Sequence, residues 1–130
     1  MKNVFKSLVI AVLILLLNSG CASLFHEKER LAMGSESEMV TIYHPDGDRL
    51  MMTHYCSAHN QPRMRSQSVS TEIKNITFDL VDVTNLSAPD AGHMKKLVVT
   101  FADRDHFTQE WTWAQNGKER TEVIKFERIR

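Results

Sequence analysis

From residue 37 onward, turn signals recur about every ten residues, and this spacing constrains the fold more than any other feature of the chain. Between the signals, apolar and polar residues alternate with the two-residue period of a strand that buries one face. Met39-Val-Thr-Ile-Tyr43 alternates and then meets His44-Pro45-Asp46-Gly47-Asp48, where Pro45 fixes φ and Gly47 supplies a left-handed position. Arg49 to Tyr55 is the return strand, with Leu50, Met52 and His54 on one face and Met51, Thr53 and Tyr55 on the other. Another strand starts near Gln61, and Pro62 belongs among its first positions because Pro cannot donate to a ladder. Ile76 to Val83 sets Ile76, Phe78 and Leu80 together, and the loop Thr84 to Gly92 around Pro89-Asp90 has room for a helical turn. Met94 to Ala102 is the most apolar run, and Asp103-Arg104-Asp105 turns it into His106 to Gln115, whose Phe107, Gln109, Trp111 and Trp113 share a face. Asn116-Gly117 is the strongest hairpin signal, and Glu119 to Arg128 closes the domain.

These runs make about seven strands, with no helix of core length and no internal repeat to compete. Consecutive hairpins favour an all-β, antiparallel up-and-down meander over a Greek key, because no long crossing connection is needed. The expected domain covers residues 37–130.

The N-terminus reads differently. Lys2 and Lys6 precede an unbroken apolar run of ten residues, Leu8 to Leu17, half of the roughly 20 that a membrane-spanning helix needs. That is the layout of an export signal, an N-terminal signal helix over residues 1–20. Ser19-Gly20-Cys21 resembles the bacterial lipobox, with Asn18 where that box usually has Leu. Lipidation of Cys21 anchors the chain to a membrane through buried acyl chains, each CH₂ worth about 0.8 kcal/mol. The expected localisation is therefore the cell envelope, facing the periplasm or the exterior. Residues 21–36 read as a tether with a helical turn or two. With 16 basic and 16 acidic residues among 130, charge signals no nucleic-acid footprint. Once Cys21 is lipidated, Cys56 has no intrachain partner and is a buried small hydrophobe or a reactive thiol.

The residues from about Glu38 to Ile129 resemble a group of small bacterial proteins with a calycin-like (lipocalin-like) β-barrel. The resemblance rests on M-V-T-I-Y-H-P-D-G-D-R-L at 39–50, T-H-Y-C at 53–56 with N-Q-P-R-M at 60–64, T-N-L at 84–86, G-H-M at 92–94 and E-W-T-W at 110–113. Barrels of that family begin with a Gly-x-Trp strand and further strands before the Y-H-x-D-G-D turn, which have no counterpart here. The resemblance therefore implies a partial or small barrel with two unpaired edges. Such a sheet curls into a smaller form, pairs with another copy as a homodimer, or belongs to a truncated family member with little function.

The block Thr53 to Met64 concentrates the candidate chemistry. His54, Cys56 and His59 are weak metal candidates, with His93 or His106 as a fourth ligand, but H-x-C-x-x-H is not a structural-zinc spacing, and no metal or cofactor is expected. A catalytic Cys56 would need a nearby activating His and an oxyanion hole, and no Gly-rich donor turn accompanies it, so the expectation is not an enzyme. The calycin resemblance implies an interior pocket for an apolar or amphipathic ligand, its anionic head held by Tyr55, Gln61 and Arg63. Asn60, His93 and Trp111 join the candidate ligand-binding set and Trp113 is a further lining candidate, with plain core packing as the alternative for both Trp residues. The structural alternative gives Asn60 and Gln61 to the open backbone of a turn and pairs Arg63 with an acid such as Glu110. Two functions follow as expectations: a small-ligand binder at the envelope, or an interaction module that uses its open sheet edges.

Overall fold

Alternating side chains leave each strand one face to bury, and antiparallel pairing of chain neighbours collects those faces on one side of a single sheet. The computed structural model describes residues 27–31, of which only the backbone is considered, together with 38–68 and 74–127. The strands are β1 (Glu27–Leu31), β2 (Met39–Asp46), β3 (Arg49–Tyr55), β4 (Gln61–Ser66), β5 (Asn75–Thr84), β6 (His93–Phe101), β7 (His106–Gln115) and β8 (Lys118–Glu127). They form one antiparallel sheet in chain order, β1 to β8, curled into a half-barrel. Strands β2 to β8 are the seven of the expected meander.

Two local expectations are corrected. Glu27–Leu31, part of the stretch expected to be a tether with a helical turn or two, is a strand that pairs along the outer side of β2, Leu31 opposite Met39 and Glu27 opposite Tyr43. Its E-K-E-R-L sequence lacks apolar alternation, and charge-rich strands of this kind are common at sheet edges. The 84–92 loop holds no helix; the Ala91 amide donates to the Ala88 carbonyl at 3.0 Å in a turn, after Asn85 has left β5 with φ +58°. The signal segment, Cys21 and the rest of the tether lie outside the described residues.

The turns follow their chemistry. Gly47 takes φ +65°, and Asn116 and Gly117 take +50° and +70°, the pair of positive values that a two-residue type I′ hairpin needs. Pro62 sits one residue before the β3–β4 ladder begins at Arg63, where its missing N–H breaks no bond to β3.

Curvature comes from twist reinforced by two bulges. Val81 is the extra residue on β5, between Leu80 opposite Met64 and Asp82 opposite Arg63. Lys95 is the extra residue on β6, between Met94 opposite Trp113 and Lys96 opposite Thr112. The concave face gathers Met52, Met64, Ile76, Phe78, Leu97, Val99 and Trp111 into the core. Met52, Met64, Phe78 and Leu97 are wholly enclosed, each worth about 1.5–3 kcal/mol of burial. A second cluster joins the two ends of the meander: Met39 of β2 packs with Phe126 of β8, beside Cys56, Phe107 and Ile124. The Phe107 and Phe126 rings stack there at 4.5 Å and 4°. One corner of the curled sheet is thereby closed. The Lys118–Val123 half of β8 belongs to the other corner and is exposed on both faces.

Candidate functional site

The β3–β4 turn, the β5–β6 loop and the β7–β8 turn all lie at one end of the half-barrel, and the irregular sequence block at 53–64 ties them together. Within the turn, the Cys56 amide donates to the Asn60 carbonyl at 3.1 Å and the His59 amide to the Cys56 carbonyl at 3.0 Å, with His59 at φ +61°. The buried Asn60 side chain donates through Nδ2 to the Gly92 carbonyl at 2.9 Å. Asn85 Nδ2 donates to the His59 carbonyl, and the Asn116 amide donates to the Asp90 carbonyl at 3.0 Å. Gly92 in turn seats the Trp113 ring, since a Cβ there would fall 2.1 Å from Trp113 Cζ2. The blocks T-H-Y-C, N-Q-P-R-M, T-N-L, G-H-M and E-W-T-W thus meet at a single rim.

Strand parity divides the candidate residues between two faces. Met64 and Ser66 are buried inward, so Arg63 and Arg65 point outward. Arg63 forks both guanidinium arms onto the Asp82 carboxylate, with Nε 2.6 Å from Oδ1, and the pair is exposed on the convex side. Its acid partner is Asp82 of the neighbouring strand, not Glu110. Tyr55 is 48 % exposed, on the face opposite His54. Gln61 accepts a hydrogen bond from Thr84 Oγ1 at 3.0 Å. The three side chains that the calycin resemblance assigns to an anionic head therefore turn away from the concave interior. Asn60 serves the rim, and His93 donates from Nδ1 to the Ala91 carbonyl at 2.8 Å in the same loop.

The metal candidates are not brought together. Among the described residues, no group of three or more His, Cys, Asp and Glu is placed to hold an ion. His54 is inside, His59 is on an exposed turn, Cys56 packs against the Met39–Phe126 cluster, and His106 pairs with Asp103 at the opposite end of the sheet.

The interior carries its own polar group. His54 and Thr41 are cross-strand partners, with 2.9 Å between Nδ1 and Oγ1. The imidazole lies 4.8 Å from the Trp111 ring, whose Nε1 donates to Gln109 Oε1 at 2.8 Å. Thr41, His54, Gln109 and Trp111 are all buried, and His54 Nε2 has no hydrogen-bond partner. Burial penalises the charged imidazolium and pushes the His54 pKa down from 6.5 to about 4, so the ring is neutral at physiological pH. Trp111 is a core residue here, filling the space between β3 and β7.

Among the described residues, a space open to a ligand lies next to Trp113. A groove of about 340 Å³ is lined by Trp113, Gln115, Asn116, Lys118, Glu119 and Arg120, within the range of small-molecule sites although open to solvent. The β7–β8 register places Arg120 opposite Trp113, and its guanidinium lies 5.8 Å from the ring centroid. Arg120 also approaches Glu122 at 4.0 Å, and Trp113 Nε1 donates to Gln115 Oε1 at 3.4 Å. Lys118 and Arg120 are exposed, and Glu119 is engaged by Lys95. The groove combines an aromatic wall with two cations, a surface suited to a molecule with an apolar body and an anionic head. Of its lining, Trp113 alone is a ligand candidate in the sequence. The signal for the rest was the Asn116-Gly117 turn, which fixes the hairpin register and sets Arg120 across from Trp113.

Comparison with protein-family models, with curated proteins and with solved structures returns no match.

Proposed function

We propose that this chain is an exported, lipid-anchored binding module of calycin-like type that takes a small amphipathic anion at the rim of its half-barrel. The observation that carries the reading is the groove of about 340 Å³ walled by Trp113 and flanked by Lys118 and Arg120. The apolar body of the ligand lies on the indole, and its head meets the two cations, a charge-assisted contact stronger than one between neutral groups. The Leu8–Leu17 run and the Ser19-Gly20-Cys21 segment support placing this site at the cell envelope. The reading is non-enzymatic, and in it His54, with Nδ1 on Thr41, serves as a buried core histidine.

The test is a tryptophan-fluorescence titration with decanoate and with decanol. Saturable quenching by decanoate, weaker binding of the uncharged decanol, and an affinity loss of about tenfold in Lys118→Ala/Arg120→Ala are expected. Equal binding of the two probes, or an unchanged double variant, overturns the reading.

A further inference from the structure

We propose that the free edge of β8 is a pairing surface for a second copy of this chain, joined antiparallel about a two-fold axis at Thr121. This goes beyond ligand binding in the groove and stands on different observations. Among the described residues, β8 pairs with β7 alone, so its other side presents a row of unpaired main-chain groups. In the Lys118–Val123 half, both faces are exposed as well, and Val123 is 57 % accessible.

The direction of those main-chain groups follows from the turn. In the type I′ hairpin Asn116-Gly117, the flanking pair Gln115 and Lys118 exchanges hydrogen bonds, so Lys118, Arg120 and Glu122 direct N–H and C=O toward β7. The β7–β8 register has no shift along its length, so Glu119, Thr121 and Val123 direct theirs outward to the free edge. A two-fold on Thr121 sets Thr121 against Thr121 of the second copy and Glu119 against Val123, and each is a hydrogen-bonded pair.

The side chains select this register among those that keep the concave faces on one side. Centred on Thr121, Arg120 lies opposite Glu122 of the second copy, and the same pair recurs by symmetry. Centred on Glu122, that carboxylate meets its own copy; centred on Val123, Glu119 meets Glu127. Protective charges on sheet edges repel an incoming strand when they are alike. In Lys118-Glu119-Arg120-Thr121-Glu122 the signs alternate, and the edge complements itself. Pairing sets the two Trp113 grooves on either side of the new seam, because Arg120 belongs to both features.

The experiment uses the full chain in its membrane fraction, with Cys56→Ser and one cysteine added at an exposed β8 position, oxidised and read as the cross-linked fraction. Thr121→Cys is expected to give a disulfide dimer, and Lys125→Cys, beyond the paired segment, much less. Glu122→Arg sets Arg against Arg twice and lowers the Thr121→Cys cross-linked fraction, with the dissociation constant raised about tenfold. Adding Arg120→Glu restores the pair and the cross-link. These positions are exposed, and an unchanged far-UV circular dichroism spectrum verifies the fold in each variant. Equal cross-linking at 121 and 125, absence of a dimer at 121, or a dimer indifferent to the single reversal overturns the proposal.

Discussion

Acid should unfold this protein through His54. The imidazole is enclosed between Thr41 and Trp111, and burial lowers its pKa from 6.5 to about 4. Above pH 6.5 the ring is neutral in both states and contributes no pH dependence. Between pH 6.5 and 4, the unfolded chain binds a proton that the folded chain refuses, so stability falls as pH falls. At about 1.4 kcal/mol per pH unit, the loss across that window is about 3 kcal/mol, a large share of what a domain of this size holds. The assay is urea unfolding at fixed temperature from pH 7.5 to pH 4.5, followed by the fluorescence of the buried Trp111, for the wild type and for His54→Gln. Glutamine keeps a polar atom for Thr41 and does not titrate in this range. Its stability at pH 7.5 should be lower by about 1–2 kcal/mol through lost packing, and its pH profile flatter than that of the wild type. His106, held above its ordinary pKa by Asp103, acts in the opposite sense, since its contribution is lost as pH rises. Asp103 and Asp82, held below the ordinary carboxylate range by hydrogen bonds from Asp105 and Arg63 respectively, contribute stability that is lost toward strong acid. All three are common to both proteins and cancel in the comparison. Parallel profiles for the two proteins would refute the argument.

Gly92→Ala should destabilise the fold by about 1–3 kcal/mol and displace Trp113, because its Cβ would lie inside the indole; near-UV circular dichroism and the urea midpoint read both effects. Asn60→Ala, which removes the side-chain link to the Gly92 carbonyl, should cost about 1–2 kcal/mol in the same assay, and an unchanged midpoint would separate the rim network from stability. Arg63→Leu breaks the exposed pair with Asp82 on the convex face and should leave decanoate affinity unchanged; a loss would return Arg63 to the binding site. Cys21→Ser should release the protein from the membrane fraction, and unchanged fractionation would refute lipid anchoring.

Strand faces were legible in the sequence because the pleat has a period of two and the inward residues are large. Leu50, Met52 and His54 on β3, and Phe107, Gln109, Trp111 and Trp113 on β7, share the faces that alternation gave them. The same rule separates Arg63 and Arg65 from Met64 and Ser66, so the sequence already argued against Arg63 as an interior group when read by parity rather than by resemblance. Asn116 and Gly117 announced their turn because few residues accept positive φ. The bulges at Val81 and Lys95 have no such signature, since one extra strand residue looks like any other, yet they help to set the curvature. β1 was hidden for a related reason: an edge strand needs main-chain pairing more than an apolar face. The rim was only partly visible, because Asn60, Gly92 and Trp113 are distant in sequence and meet only when the strands align.

The contact between Met39 and Phe126 sets an order of assembly. Among the described residues every ladder joins neighbours in the chain, so strands can add one after another in the order of synthesis, each hairpin needing little loop entropy. Phe126 lies near the end of the last strand, and Met39 waits for it through the whole meander. The corner closes last, so a chain still being synthesised holds hairpins without a sealed core. The Met39–Phe126 contact therefore forms only after β8 has arrived.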